Sequence, residues 1–175
     1  MRYSVILQLM TYALLSLSLL TSYSSQASEI STKPRAYQAA PTFSLPGDKF
    51  TVNLAAYRGR AVYLDFWASW CVPCRKSFPW MNEMKERYAR KGLSIIAINL
   101  DDSQEAAKDF LSKVPAQFTI VYDPQGKVAE AYNLKVMPSS FLIDRHGRII
   151  SQHAGFQTKS KDEMEKQIQQ LLTIK

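Results

Sequence analysis

The chain has 175 residues, 22 Lys and Arg against 15 Asp and Glu for a formal net charge of +7, and 46% hydrophobic residues. That length suits one domain, and 21% charged with 11% aromatic residues is the composition of a packed core rather than of a disordered chain. Two cysteines exclude a disulfide-dense scaffold, and the absence of repeated long apolar runs excludes a polytopic membrane protein.

In chain order, residues 1–27 read as a secretory signal peptide. Met1-Arg2-Tyr3 gives a short positive start, Val5 to Leu20 is mostly apolar, and Ser25 and Ala27 occupy the −3 and −1 positions of a cleavage site. An uncleaved anchor is the alternative, since about 16 apolar residues fall only slightly short of the roughly 20 that span a bilayer. Residues 28–38 form a polar, flexible leader and residues 39–175 the domain. Phe43–Leu45 and Phe50–Leu54 flank a Pro46-Gly47-Asp48 turn, which predicts a hairpin. Ala61–Trp67 (AVYLDFW) is a nearly continuous apolar run, the pattern of a strand buried on both faces. A helix is expected over 75–91, with Phe78, Met81, Met84 and Tyr88 on its inner face and Lys85, Arg87, Arg90 and Lys91 at a C-terminus closed by Gly92. Leu93–Leu100 is the next strand, so a parallel βαβ unit follows.

Further on, Ala106, Ala107, Phe110 and Leu111 predict a helix over 103–113, followed by a strand over Phe118–Tyr122 and a turn at Asp123–Gly126. A short helix covers Val128–Tyr132. Ser139–Ile143 and Ile149–Ala154 read as a hairpin turning at Asp144–Gly147. Ser160 and Glu163 have the spacing of a capping box before an amphipathic helix carrying Met164, Ile168, Leu171 and Leu172.

The chemistry-bearing segment is Trp70-Cys71-Val72-Pro73-Cys74, which follows a buried strand and opens a helix. Cys71 is expected at the helix tip, where backbone N–H groups and the positive helix end favour a thiolate; Cys74, one turn in, is shielded and able to attack a mixed disulfide at Cys71. A bridge over so short a loop adds little stability, so a reversible disulfide is the natural use of the pair. A zinc site would need further ligands, and the only histidines, His146 and His153, fall in a turn and a strand far along the chain. Haem attachment would need His after Cys74, where Arg75 stands. No metal site is therefore assigned. The basic excess is dispersed and not interleaved with aromatics, so no nucleic-acid partner is assigned either.

Asp65-Phe66-Trp67-Ala68-Ser69-Trp70-Cys71-Val72-Pro73-Cys74-Arg75 resembles the active-site motif of the thioredoxin superfamily. Pro79, five residues after Cys74, matches the proline inside that family's helix, and Val136-Met137-Pro138-Ser139 resembles its cis-proline loop. Ala40-Pro41-Thr42-Phe43-Ser44-Leu45-Pro46 and the extra helix and strand near 101–122 are similar to the TlpA/ResA-like branch, bacterial extracytoplasmic thiol–disulfide oxidoreductases. The resemblance implies an α/β fold with a central mixed sheet flanked by helices, an N-terminal hairpin and an inserted helix–strand element. It implies Cys71 as nucleophile and Cys74 as resolving thiol, with Trp70, Val72, Pro73, Met137 and Pro138 contacting substrate. Asp65 stands where thioredoxin has its buried acid and TlpA-like proteins more often carry Asn; desolvated, it would accept the Cys74 proton, the alternative being a paired core acid of no catalytic role. Some ResA-like proteins place Glu where this chain has Ser77, and Asp65 is expected to replace that acid.

Direction follows reduction potential, and thioredoxin and the oxidant DsbA differ by roughly 150 mV, about 7 kcal/mol for two electrons. Val72-Pro73 lacks the His of strong oxidants, which favours a reductase. The resemblance implies protein dithiol or disulfide substrates, no cofactor beyond the cysteine pair, a monomer in the periplasm or on the outer face of a bacterial inner membrane, and a membrane electron-transfer protein as reductant. Apocytochrome c thiols, a copper-site protein and mis-oxidised periplasmic proteins are the downstream substrate classes open to it. The alternatives are a periplasmic thiol oxidase or isomerase, a Cu(I)-binding chaperone using the CxxC pair with Met137, and a thiol peroxidase.

Overall fold

A computed structural model describes residues 37–174; the segment expected to be a signal peptide (1–27) and most of the expected leader (28–38) lie outside the described residues. β1 (Ser44–Pro46) and β2 (Thr51–Asn53) form a two-stranded hairpin that runs into a 3-10 turn over Leu54–Tyr57. The main sheet has five strands in the order β5-β4-β3-β6-β7, where β3 is Ala61–Trp67, β4 Leu93–Asn99, β5 Thr119–Tyr122, β6 Ser139–Ile143 and β7 Ile149–Ala154. β3, β4 and β5 are parallel, and β6 and β7 are antiparallel to their neighbours, so the sheet is mixed. The helices are α1 (Cys74–Tyr88), α2 (Gln104–Lys113), α3 (Lys127–Ala131) and α4 (Lys161–Thr173). Among the described residues no helix is long and apolar enough to cross a membrane.

β3 sits in the middle because every one of its seven residues is buried. Its alternation then divides the core in two. Ala61, Tyr63 and Trp67 face Phe78, Met81 and Met84 of α1, Phe110 of α2 and Met164, Ile168 and Leu171 of α4. Val62, Leu64 and Phe66 face the N-terminal segment through Phe43, Val52 and Leu54, and α3 through Val128, Ala129 and Tyr132. Aromatic edges lock the first layer, with Trp67, Phe78 and Phe110 mutually within 4.8–5.0 Å between ring centroids.

The β6 and β7 ranges agree with the sequence reading to the residue, and their turn is held by Asp144. Burial alone would raise this carboxyl, but N–H groups of Arg148 and His146 and the Arg148 guanidinium hold it below the usual carboxylate range. Two expectations are corrected. The helix predicted over 75–91 starts at Cys74 and gives way at Ala89–Lys91 to a 3-10 turn, closed by Gly92 at φ 103°. Ser160 forms no capping box: it is the last residue of a 3-10 turn, in αR backbone, and its Oγ donates to the Gln157 carbonyl. The preceding turn already feeds the helix, so the hydroxyl satisfies a carbonyl behind it rather than an N–H ahead.

Candidate active site

β3 ends at Trp67, and the chain reverses through Ala68–Trp70, where the Cys71 N–H donates to the Ala68 carbonyl at 3.1 Å. The Cys74 N–H donates to the Cys71 carbonyl at 3.1 Å and the Arg75 N–H to that of Val72 at 3.3 Å, so the CxxC segment is a tight turn that becomes α1. Cys71 and Cys74 are joined as a disulfide, with Cα atoms 5.3 Å apart. Cys71 therefore lies three residues ahead of the helix and not at its tip, and Cys74 is its first residue rather than a turn inside. Pro73 sets this boundary, because its φ of −68° suits the position just before the first helical residue and it has no N–H to satisfy.

Both cysteines are buried, Cys71 at 4% and Cys74 at 0% exposure, but only one of them borders open space. Cys71 lines an open groove of about 510 Å³ together with Trp70, Val72, Pro73, Leu134, Lys135, Val136 and Met137. Cys74 lines none of it and is fully buried. Trp70 and Val72 are each 67% exposed and Val136 49%, three of the five large apolar side chains left exposed among the described residues. The Met137–Pro138 peptide is cis, and Gly155 N–H donates to the Pro138 carbonyl at 2.7 Å, tying this loop to the end of β7. Among the described residues, Met137 makes no backbone hydrogen bond. Pro138 itself is buried and does not line the groove.

Asp65 lies in the centre of β3, paired with Ala97 of β4 and Ser140 of β6. Strand alternation sends its side chain to the α1 face, the face on which Cys74 and Phe78 pack. It is 1% exposed, its Oδ2 has no hydrogen-bond partner, and desolvation pushes its carboxyl well above the usual range. Tyr63, two residues back on the same face, is also raised, first by burial and then by the Asp65 charge. Ser77, at the position where some relatives of the motif carry an acid, is buried and donates to the Cys74 carbonyl at 3.0 Å. His153 is engaged on the far edge with Ser151 and Gln167, and His146 lies in the exposed β6–β7 turn. No group of three or more His, Cys, Asp or Glu suited to a metal occurs among the described residues.

One part of the site has no counterpart in the sequence reading. Asp101, just past β4, accepts the Ser69 N–H at 2.9 and 3.1 Å, the Ser69 hydroxyl at 3.0 Å and the Asn99 amide at 2.8 Å. Asp101-Asp102-Ser103 reads locally as the polar entry to α2, and Ser103 does cap that helix. The second role of Asp101 depends on a residue 32 positions earlier, which no local pattern displays.

The redoxin family model matches residues 35–171. Thiol-disulfide oxidoreductase ResA of Bacillus thuringiensis subsp. konkukian is 38% identical over 125 residues, 70% of this chain and 71% of that protein. ResA of Bacillus subtilis is 32% identical over 109 residues, 62% of this chain and 61% of that protein. Among solved structures, a Chlorobium tepidum protein provisionally assigned as thiol:disulfide interchange protein DsbE superposes with a TM-score of 0.77 at 49% identity, covering 78% of this chain and 96% of that one. The chain belongs to the redoxin family, within the thioredoxin superfamily. Within it the fold and the CxxC pair are those of a ResA/TlpA-like thiol–disulfide oxidoreductase.

Proposed function

We propose that the protein is an extracytoplasmic reductase of protein disulfides. The observation that carries the assignment of roles is the asymmetry of the pair: Cys71 opens onto the groove and Cys74 does not. Reduced, the Cys71 thiolate attacks one sulfur of a substrate disulfide, the substrate S–S bond breaks, and the departing sulfur leaves as a thiolate that takes a proton from water. Cys74 then transfers its proton to the Asp65 carboxylate and attacks the Cys71 sulfur, expelling the second substrate thiolate. Two electrons pass to the substrate, and the cysteine pair ends as the disulfide.

The apolar groove and the free Met137 backbone suit an extended segment of a protein substrate flanking its cysteine, with Pro138 behind it. Export through residues 1–27, or their retention as an anchor, places this chemistry outside the cytoplasm. A membrane electron-transfer protein then regenerates the dithiol, and the domain acts as a monomer. Direction is tested by equilibrating the protein with glutathione buffers. A potential nearer thioredoxin's (about −270 mV) than that of DsbA (about −120 mV) is expected, and a value at the oxidising end would make the protein a thiol oxidase instead. Met137 does share the groove with Cys71, as a Cu(I) site would require. Stoichiometric copper retention by the reduced protein, with no reduction of insulin disulfides, would favour that second reading.

A further inference from the structure

Ser69 is held from both ends of its backbone. Its N–H and its hydroxyl donate to the Asp101 carboxylate, and its carbonyl accepts from the Arg75 guanidinium at 3.5 Å. Asp101 is in turn fixed by Asn99: the Asn99 amide donates to Oδ2 at 2.8 Å and the Asp101 N–H donates to the Asn99 Oδ1 at 3.2 Å. Asn99 is the last residue of β4, 1% exposed and in register with Trp67, the last residue of β3. Arg75 is braced on its other side, 5.0 Å above the Phe110 ring of α2. The turn that carries Trp70 and Cys71 is therefore clamped to the end of β4, next to the end of β3, by a carboxylate that is 6% exposed.

We infer that Asp101 is a positioning residue for the redox centre, one that fixes the Ala68–Trp70 turn by holding its carboxylate on Ser69, two residues before Cys71. All four side-chain bonds of Asp101 are accepted, as an ionised carboxylate requires. The geometric effect is preorganisation: Cys71 is two residues beyond Ser69, so losing the clamp loosens the approach of its sulfur to a substrate. The electrostatic effect opposes the thiolate, because a like charge in a weakly hydrated setting disfavours the ionised form. The other charged groups on the elements that meet here are Arg75 and the exposed Lys76 on α1, Lys135 lining the groove with Cys71, Asp102 next to Asp101 in sequence, and Asp65 on β3. The three cations favour the thiolate and the carboxylates oppose it; of these, Asp101 is the one fixed by hydrogen bonds to the turn before Cys71, at 6% exposure. A less stable Cys71 thiolate makes the dithiol a better electron donor. This last step shares the reductase reading above, but the clamp and its effect on Cys71 acidity do not depend on the direction of flow.

The test uses Asp101→Asn, Asp101→Ala and Ser69→Ala, each with Cys74→Ser for thiol titration and with both cysteines for potentials. The tested segment is residues 36–175, which carries every core residue found among the described residues. It is comparable to the Chlorobium tepidum structure, 96% of which aligns with 78% of this chain. Asn keeps one oxygen for the Ser69 N–H and hydroxyl, gives up the bond from the Asn99 amide, and removes the charge. Its Cys71 pKa, read from alkylation rate against pH, is expected to fall by about half a unit, with a matching shift of the potential in the oxidising direction. Asp101→Ala also loses the bonds, and a several-fold lower second-order rate of disulfide exchange per thiolate is expected, a loss that Asn largely restores. Ser69→Ala keeps the backbone bonds and should retain the wild-type Cys71 pKa. If Asn and Ala lower the melting temperature but leave the Cys71 pKa, the potential and the exchange rate unchanged, Asp101 is only a structural brace and the inference fails. Should Asp101→Ala not fold, the Asn variant alone decides the charge effect and the Ser69→Ala exchange rate decides the positioning effect, which requires a measurable loss there. A potential at the oxidising end in the wild type would overturn the reductase reading while leaving these comparisons intact.

Discussion

At the scale of the residue, Asp65 carries the sharpest conflict in the molecule. A carboxyl in the middle of a fully buried strand, with an oxygen lacking a partner, costs stability whenever the unfolded chain would ionise it. Its folded pKa is raised, so the native state is favoured at pH values below the unfolded value of about 3.9, and that advantage drains away as pH rises toward the folded value. Asp65→Asn is therefore expected to melt several degrees higher than the wild type at neutral pH, with the two curves converging near pH 4. The same variant should lose the pH dependence of exchange assigned to proton acceptance from Cys74, measured as single-turnover rates against pH. A variant no more stable than the wild type at pH 7, or one with an unchanged pH profile, would contradict the buried-acid role. Sequence reasoning reached Asp65 through the motif around it, whereas its unpartnered oxygen emerges only from the register with Ala97 and Ser140.

At the scale of the element, what was legible depended on how local the cause is. β3, β6 and β7 announce themselves by runs of apolar and β-branched residues, and their bounds agree with the structure to the residue. The hairpin was legible in outline, but its strands are only three residues each, because Gly47 turns the chain toward β5. Gly47 bridges to Val121, and a Cβ there would stand 2.9 Å from the Phe50 carbonyl oxygen and 3.0 Å from that of Ile120. Both obstacles are backbone, so Gly47→Ala must displace the hairpin from the sheet edge. A cost of about 1–3 kcal/mol in urea unfolding is expected, along with faster amide exchange at Val121. Wild-type stability and exchange would show instead that the hairpin end is free to shift. The Ser160 box misled because the same Ser-x-x-Glu spacing arises where a 3-10 turn runs into a helix.

At the scale of the whole molecule, the redox centre is built where separate parts of the chain meet. β3 delivers Cys71 at its C-terminal end, α1 carries Cys74 away from solvent, the loop before β6 supplies Met137 and the cis Pro138, and the end of β4 supplies Asp101. The CxxC and cis-proline parts were legible because each is a contiguous motif. The clamp by Asp101 was not, since it joins residues brought together only when β3 and β4 pair in parallel. The groove beside Cys71 and the fully buried Cys74 follow from that assembly, and the proposed order of events, Cys71 first and Cys74 second, rests on them. The most direct measurement is covalent trapping with single-cysteine variants of the full chain expressed in its native host, read on non-reducing gels by mass spectrometry. Cys74→Ser is predicted to accumulate mixed disulfides joined through Cys71 to extracytoplasmic proteins, while Cys71→Ser accumulates none. Equal trapping by the two variants, or none by Cys74→Ser with Cys71 free, would contradict the account.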